Sequence, residues 1–215
     1  MVRVLGWLAA ASLAVGLVMA FAVAPREVTQ GNVQRIMYVH VPLILASYLA
    51  FVVLAVASLV YLVRRDDGAD RVAHASAEVG VMFVGLGIAT GSIWGKPTWG
   101  TWWTWDARLT SVAILFVMYL GYLLLRGTIE DPERAARYCA VLGIVAALDI
   151  PLVHFSVYWW RTLHQPPSLL KPGGFTGSSS ILWPLLANLV AFALLYAYLV
   201  ARRVRLLRAE AEATA

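Results

Sequence analysis

Charged residues are scarce in this chain of 215 residues: Asp, Glu, Lys and Arg make up 13%, against 61% hydrophobic. An ordinary soluble domain carries about 25% charged residues, so a globule of this length would lack the polar groups to cover its surface. Cysteine is nearly absent, with Cys139 alone inside an apolar run. One cysteine makes no intrachain disulfide, no Cys-x-x-Cys redox centre and no Cys-x-x-Cys-His haem attachment site. Its simplest reading is a small buried apolar side chain. The chain is thus neither a c-type cytochrome nor a thiol oxidoreductase. No Gly-x-x-x-x-Gly-Lys-Ser/Thr phosphate loop occurs, so the chain does not hydrolyse ATP itself. Paired metal-ligand spacings and a Gly-x-Ser-x-Gly nucleophile are missing too. The net charge of +5 invites a nucleic-acid reading. The basic residues stand at the ends of apolar runs, however, not in a stripe interleaved with aromatics, so nucleic acid is not expected as a partner.

What is present is apolar sequence in long runs. A hydrocarbon core of about 30 Å needs about 20 helical residues. Six stretches meet that length, at about 4–24, 41–63, 77–95, 109–125, 138–160 and 181–201. None shows the period-two alternation of a membrane barrel, and an unpaired backbone is not tolerated in lipid, so all six are expected to be helices. The fold class is all-α: one polytopic membrane domain over residues 1–215, with lipid as its surroundings. The first run, with Arg3 before it and Ala22-Val23-Ala24 at its end, has features of a cleavable signal. It exceeds the usual apolar core of about 7–15 residues, and Pro25 would follow the cut. It is read as a retained helix.

Orientation follows from the basic residues between the runs. One side collects Arg3, Arg64, Arg65, Arg71, Arg126, Arg134, Arg137, Arg202, Arg203, Arg205 and Arg208; the other has Arg26, Arg35, Lys96, Arg108, Arg161 and Lys171. The positive-inside rule puts the first set, with both termini, in the cytoplasm. The loops near 25–40, 96–108 and 161–180 then face the opposite compartment. Tryptophan follows the same division. Trp94, Trp99, Trp102, Trp103, Trp105, Trp159, Trp160 and Trp183 fall on the outer side and only Trp7 near the inner one. An interfacial aromatic belt occupies both faces, so it accounts for only part of this asymmetry. Gly173, Gly174, Gly177 and Ser178-Ser179-Ser180 mark a flexible stretch before the last helix.

The densest segment is Trp99-Gly100-Thr101-Trp102-Trp103-Thr104-Trp105-Asp106-Ala107-Arg108-Leu109-Thr110. Its indoles make a rigid surface with donor-only N–H groups, suited to a flat, polarizable ligand with a polar edge. Were the stretch helical, positions 99, 102, 103 and 106 would share a face, but Gly95, Pro97 and Gly100 predict a turn at its entry. Asp106 is placed to cap the fourth span. Arg108 offers a planar fork for a carboxylate. Both also admit a purely local role in the loop.

The run Trp-Gly-Thr-Trp-Trp-Thr-Trp-Asp resembles the tryptophan-rich signature of the haem-handling proteins of cytochrome c biogenesis, shared by CcmC, CcmF and CcsA. The continuation Asp106-Ala107-Arg108-Leu109-Thr110-Ser111 is similar to CcmC; the Pro and nearby Glu of the two haem-lyase relatives are absent. Further CcmC-like segments are Gln30-Gly31-Asn32, Arg35, Tyr38-Val39-His40-Val41-Pro42, Gly91-Ser92-x-Trp94-Gly95-Lys96-Pro97 and His154-x-Ser156-Val157-x-Trp159-Trp160-x-Thr162-Leu163-His164-Gln165. The likeness covers about residues 25–165.

The resemblance implies non-covalent, b-type haem as ligand, bound at the periplasmic face of a bacterial inner membrane. It implies delivery of that haem to the chaperone CcmE, with the small membrane protein CcmD and the ATP-driven subunits CcmA and CcmB as partners. It also implies that His40 and His164, 124 residues apart and on the tryptophan side, ligate the iron. Trp99, Trp102, Trp103, Trp105 and Asp106 are the expected haem-contacting set, with Arg108, then Arg35 and Arg161, as propionate partners. No catalytic residue is expected. His154 and Asp149, around Pro151 in the fifth span, are either an interhelical hydrogen bond or a functional site, with Pro151 weakening the backbone ladder. His74, near Arg71 and Glu78, is expected to be solvated. Two other classes remain open: a b-type cytochrome electron-transfer subunit, and a permease subunit for another substrate that uses tryptophan only as an anchor.

Overall fold

The computed structural model describes residues 2–164 and 177–214. The sequence expectations for Gln165, Lys171, Gly173 and Gly174 lie outside the described residues. The chain is built from helices: α1 (Val2–Val18), α2 (Met37–Arg64), α3 (Asp67–Trp99), α4 (Ala107–Thr128), α5 (Pro132–Ala147), α6 (Asp149–Trp159) and α7 (Ser179–Thr214). A π-helical turn, Met19–Val23, prolongs α1, and a 3₁₀ turn, Val33–Ile36, leads into α2. Taking α5 with α6, six helical segments are long and apolar enough to cross a membrane, as the runs predict.

The helices outlast the apolar runs. The third was expected over 77–95 and covers Asp67–Trp99; the last was expected over 181–201 and covers Ser179–Thr214. Hydropathy reports the thickness of the lipid, whereas the helix continues until a cap or a left-handed residue ends it. The ends opposite the tryptophans are tightly turned. Arg65 adopts a left-handed φ of 57° and its N–H closes on the Tyr61 carbonyl at 2.8 Å. Asp66 then caps α3 through Gly68 N–H at 2.7 Å, and Asp131 caps α5 through Glu133 and Arg134, with Pro132 at the first helical position.

The fifth span breaks at Leu148, between α5 and α6. Pro151 has no N–H to return to the preceding turn, which fits a helix that restarts at Asp149.

The core lies between α2 and α3, the most extensively packed pair. Glycines on α3 let them approach. A Cβ at Gly80 would lie 2.5 Å from a Phe51 ring carbon, and one at Gly87 would lie 2.4 Å from Ile44 Cδ1. Phe51 stacks on Tyr119 of α4 with centroids 3.7 Å apart. The first helix packs mainly on α7, where buried Asn188 donates to the Gly16 carbonyl at 2.8 Å. At the end away from the tryptophans, Arg126 of α4 grips Asp70 of α3 with both guanidinium nitrogens. Arg203 of α7 likewise binds Glu78, which also contacts His74 Nε2 at 3.2 Å. His74 is therefore paired and only 17% exposed at its side chain, where solvation was expected; the carboxylate one turn away covers it.

Candidate functional site

At the tryptophan-bearing end, α3 does not stop at the predicted turn. It runs through Gly95 and Pro97 to Trp99 and closes at Gly100, whose φ of 80° is left-handed. The Thr98 hydroxyl donates to the Trp94 carbonyl at 2.8 Å, and Gly100 N–H to Lys96 at 3.0 Å. These bonds carry the last turn past the proline, and glycine accepts the left-handed position that ends it. Residues 101–106 are not helical, so the common helical face for 99, 102, 103 and 106 does not form.

The loop is ordered by its own side chains. Thr101 Oγ1 donates to the Trp103 carbonyl at 2.9 Å, and the Trp103 and Trp105 rings meet edge to face at 5.6 Å. Asp106 ends the loop with two bonds. Its Oδ1 accepts from Leu109 N–H at 2.8 Å and caps α4; its Oδ2 accepts from Leu163 N–H at 3.0 Å. The second bond ties the segment after α6, which carries His164, to the tryptophan loop. Capping was legible in the sequence; the link to Leu163 was not, because nothing local signals a partner 57 positions away.

Between these elements lies a recess with about 540 Å³ of space, part of it open to the outside. Its walls are His40, Ile44 and Tyr48 of α2; Gly87, Ile88, Gly91, Ser92 and Trp99 of α3; Trp102 and Trp103 of the loop; Arg108, Leu109 and Val112 of α4; and His164. Below His40 the wall descends two helical turns, through Ile44 to Tyr48, so the recess reaches into the apolar part of the bundle.

His40 Nδ1 lies 3.0 Å from the Gly87 carbonyl and 3.3 Å from Thr90 Oγ1, and Trp94 meets the ring edge to face. Trp94 is held in turn, its Nε1–H donating to Gln30 Oε1 at 2.9 Å. Gln30 is marked in the sequence only by the resemblance, and Trp94 by that and by the tryptophan asymmetry; their support of His40 appears only in three dimensions. His164 meets Trp99 at 4.6 Å, edge to face. Burial pushes its imidazolium pKa down to about 3; Arg108 and His40 add to this and Asp106 opposes it. The ring is neutral at pH 7, as a metal ligand must be.

Of the expected residues, His40, His164, Trp99, Trp102, Trp103 and Arg108 line the recess together. Trp103 Nε1 is buried and Arg108 is half-buried, and among the described residues neither the Trp103 N–H nor the Arg108 guanidinium has a hydrogen-bond or ion-pair partner. Both are donors that a carboxylate would satisfy. Trp105 is 77% exposed at the rim, and Arg161 is exposed beyond α6. Arg35 is elsewhere. Its guanidinium binds the Phe21 carbonyl and, at 2.9 Å, the Ala24 carbonyl, so it fastens the end of α1's π turn. His154 contacts Phe155 edge to face and is not part of the recess wall; Asp149 Oδ2 is buried with no hydrogen-bond partner among the described residues. Among the described residues no three His, Cys, Asp or Glu side chains gather as ligands for a bare metal ion.

Comparison with known proteins identifies the family. The family model described as CcmC, heme exporter protein C, matches residues 1–215. Heme exporter protein C of Bradyrhizobium diazoefficiens is 49% identical over 211 residues, covering 96% of this chain and 80% of that protein. Its namesake in Haemophilus influenzae is 42% identical, covering 90% of this chain and 79% of the relative. That of Escherichia coli K12 is 39% identical, covering 93% and 81%. With a match along its whole length and relatives well above 30% identity, the chain belongs to the heme exporter protein C family, the CcmC group of multi-pass, haem-handling membrane proteins.

Proposed function

We propose that this protein binds haem at the tryptophan-bearing end of the bundle, facing the periplasm from a bacterial inner membrane, and passes it to the chaperone CcmE during cytochrome c maturation. The observation that carries the reading is a single recess lined by His40, His164, indoles and Arg108. Two imidazoles suit an iron that brings its remaining ligands in its own macrocycle, held non-covalently as a b-type haem. Trp99, Trp102 and Trp103 supply flat polarizable walls, and Trp105 extends them at the rim. Arg108 and the Trp103 N–H meet a propionate through charge-assisted bonds. Asp106 orients the His164 segment, Arg161 is left to the rim, and Arg35 serves the fold.

Haem here is cargo, so binding has to be firm and yet reversible. Trp102 at 58% and Trp105 at 77% exposure leave one side of the site open to an acceptor. The uneven distribution of arginine supports a periplasmic position for this end, with both termini cytoplasmic. The chain has no phosphate loop of its own, so energy for the cycle comes from ATP-driven partners, CcmA and CcmB, with CcmD as the small membrane subunit. The protein itself is not an enzyme in this scheme.

The test is the visible spectrum and haem content of the detergent-purified protein beside His40→Ala and His164→Ala. A six-coordinate spectrum that weakens or changes in both variants is expected. Undiminished, unshifted haem in both would sink the assignment, move the ligand search to His154 and favour a b-type cytochrome subunit. A colourless wild-type protein that takes up no added haem would point to a permease for another substrate.

A further inference from the structure

The two imidazoles of the recess are held in different ways. His40 stands inside a helix, and its ring is fixed from several sides. The Gly87 carbonyl, 3.0 Å from Nδ1, only accepts, so Nδ1 carries the proton, and in the neutral ring Nε2 keeps its lone pair. The Thr90 hydroxyl directs its own proton to the Leu86 carbonyl at 2.8 Å or the Gly87 carbonyl at 3.1 Å. At 3.3 Å from His40 it therefore also faces Nδ1 as an acceptor. Gly91 leaves room for the ring: a Cβ there would lie 2.9 Å from His40 Cε1.

The His164 ring packs edge to face on Trp99 at 4.6 Å but has no acceptor behind it among the described residues. His164 follows α6 outside any helix, on a segment tied down by the Leu163–Asp106 bond and by Thr162 Oγ1 donating to the His164 carbonyl at 3.2 Å. Its Nδ1 is buried and has no hydrogen-bond partner among the described residues. An imidazole whose second nitrogen is held by an acceptor is fixed in tautomer and orientation and is the stronger donor to a metal. One without that acceptor is the weaker donor and turns more easily.

We propose that the pair is asymmetric: His40 is the anchor, His164 is the exchangeable ligand through which haem is handed on, and Thr90 is the positioning residue that sets the strength of His40. The inference rests on the reading that these two imidazoles bind the iron. In the exchange, the iron–nitrogen bond to His164 breaks and its electron pair returns to the imidazole. A neutral nitrogen donor of the acceptor supplies the pair for the new bond, and no proton or electron changes hands. Placing the weaker ligand on the tethered segment lets the iron change partners while the macrocycle stays on the helix-borne side of the site.

The test follows haem loss from the full-length, haem-loaded protein in detergent to excess apomyoglobin, read by visible absorbance. It compares wild type, His40→Ala, His164→Ala, Thr90→Val and Thr90→Ser. His40→Ala is expected to lose haem about tenfold faster than His164→Ala. Outer-shell partners of a ligating histidine are worth about 10–100-fold in metal affinity. Because the Gly87 carbonyl remains, Thr90→Val is placed at or below the lower end, with haem loss several-fold faster. Its haem midpoint potential should rise, since a ring with fewer acceptors on Nδ1–H donates less to iron. Thr90→Ser keeps the hydroxyl and is expected to restore both readouts. Equal loss from the two histidine variants, faster loss from His164→Ala, or a Thr90→Val protein indistinguishable from wild type overturns the proposal. Haem retention unaffected by either histidine variant overturns instead the ligand reading beneath it.

Discussion

Asp106→Ser separates the two tasks of one carboxylate. Serine is as good a helix cap as aspartate, so Leu109 N–H keeps an acceptor and α4 keeps its start. A single short hydroxyl does not also reach Leu163, whose N–H now bonds Asp106 Oδ2 at 3.0 Å. A hydrogen bond to a charged group is worth about 1.5–3 kcal/mol. This one lies at the exposed rim, where water competes, so about 1.4 kcal/mol is the reasonable figure, a factor of about ten in equilibrium. The segment carrying His164 should then leave its docked position about tenfold more often, and haem affinity should fall, by up to the same factor as the undocked form comes to dominate. Haem titration of the purified variant reads the affinity, and amide hydrogen exchange reads the segment. Exchange is expected to accelerate at Leu163 and stay slow at Leu109. Unchanged haem affinity with a freed Leu163 amide would refute the link between that tether and the site. An equally protected Leu163 amide would refute the tether itself.

Three further expectations follow from the same geometry. Gly91→Ala drives a methyl to 2.9 Å from His40 Cε1, whereas Gly121→Ala meets nothing within 4 Å; the first should weaken haem binding about tenfold or more and the second should leave it unchanged in the same titration, with equal effects counting against the seat. His164 has its imidazolium lowered from 6.5 to about 3, so the stability it contributes as a neutral ring is complete above about pH 6.5 and is lost as pH falls toward 3; the spectrum of the haem-loaded protein should be flat between pH 8 and 5, and a transition centred near 6.5 would contradict the buried, neutral ligand. Asp70→Asn leaves the Arg126 guanidinium, 18% exposed at its side chain, without its charged partner; the cost is about 2 kcal/mol, below the 3–5 of a fully buried pair because water still reaches this one, and it should appear as a lower unfolding midpoint in detergent.

Much of this architecture is written locally, and the residues that are not are instructive. The six spans follow from runs of apolar side chains because lipid imposes one length on all of them. Their true ends do not, since Arg65, Gly100 and Asp131 end or begin helices by backbone geometry and capping beyond the apolar runs. The break near Leu148 was foreshadowed by Pro151, whose missing N–H is a property of one residue. By contrast, Pro97 and Gly95 suggested a turn that the Thr98 and Gly100 bonds override. In the site, the chemistry of His40, His164, Arg108 and the indoles is legible from residue type and resemblance. What supports them is pairwise and distant: Gly87 and Thr90 under His40, Gln30 behind Trp94, Asp106 against Leu163. Arg35 shows the converse. A guanidinium on the expected side of the membrane suggested an anion, and two backbone carbonyls claimed it.

The connection from Trp99 to Ala107 is short, fixed at one end by left-handed Gly100 and at the other by the Asp106 cap. A brief loop closed by two rigid helices has few alternative shapes, so little chain entropy remains to be surrendered when a ligand arrives. The indoles on it are therefore already presented, and a modest set of contacts is enough to capture a planar guest. The same economy works in reverse. Because Gly100 and the Asp106 cap hold both ends of the loop without help from a guest, departure of a guest releases little disorder and requires little refolding. A carrier built this way can turn over repeatedly without a large conformational cycle at its own surface.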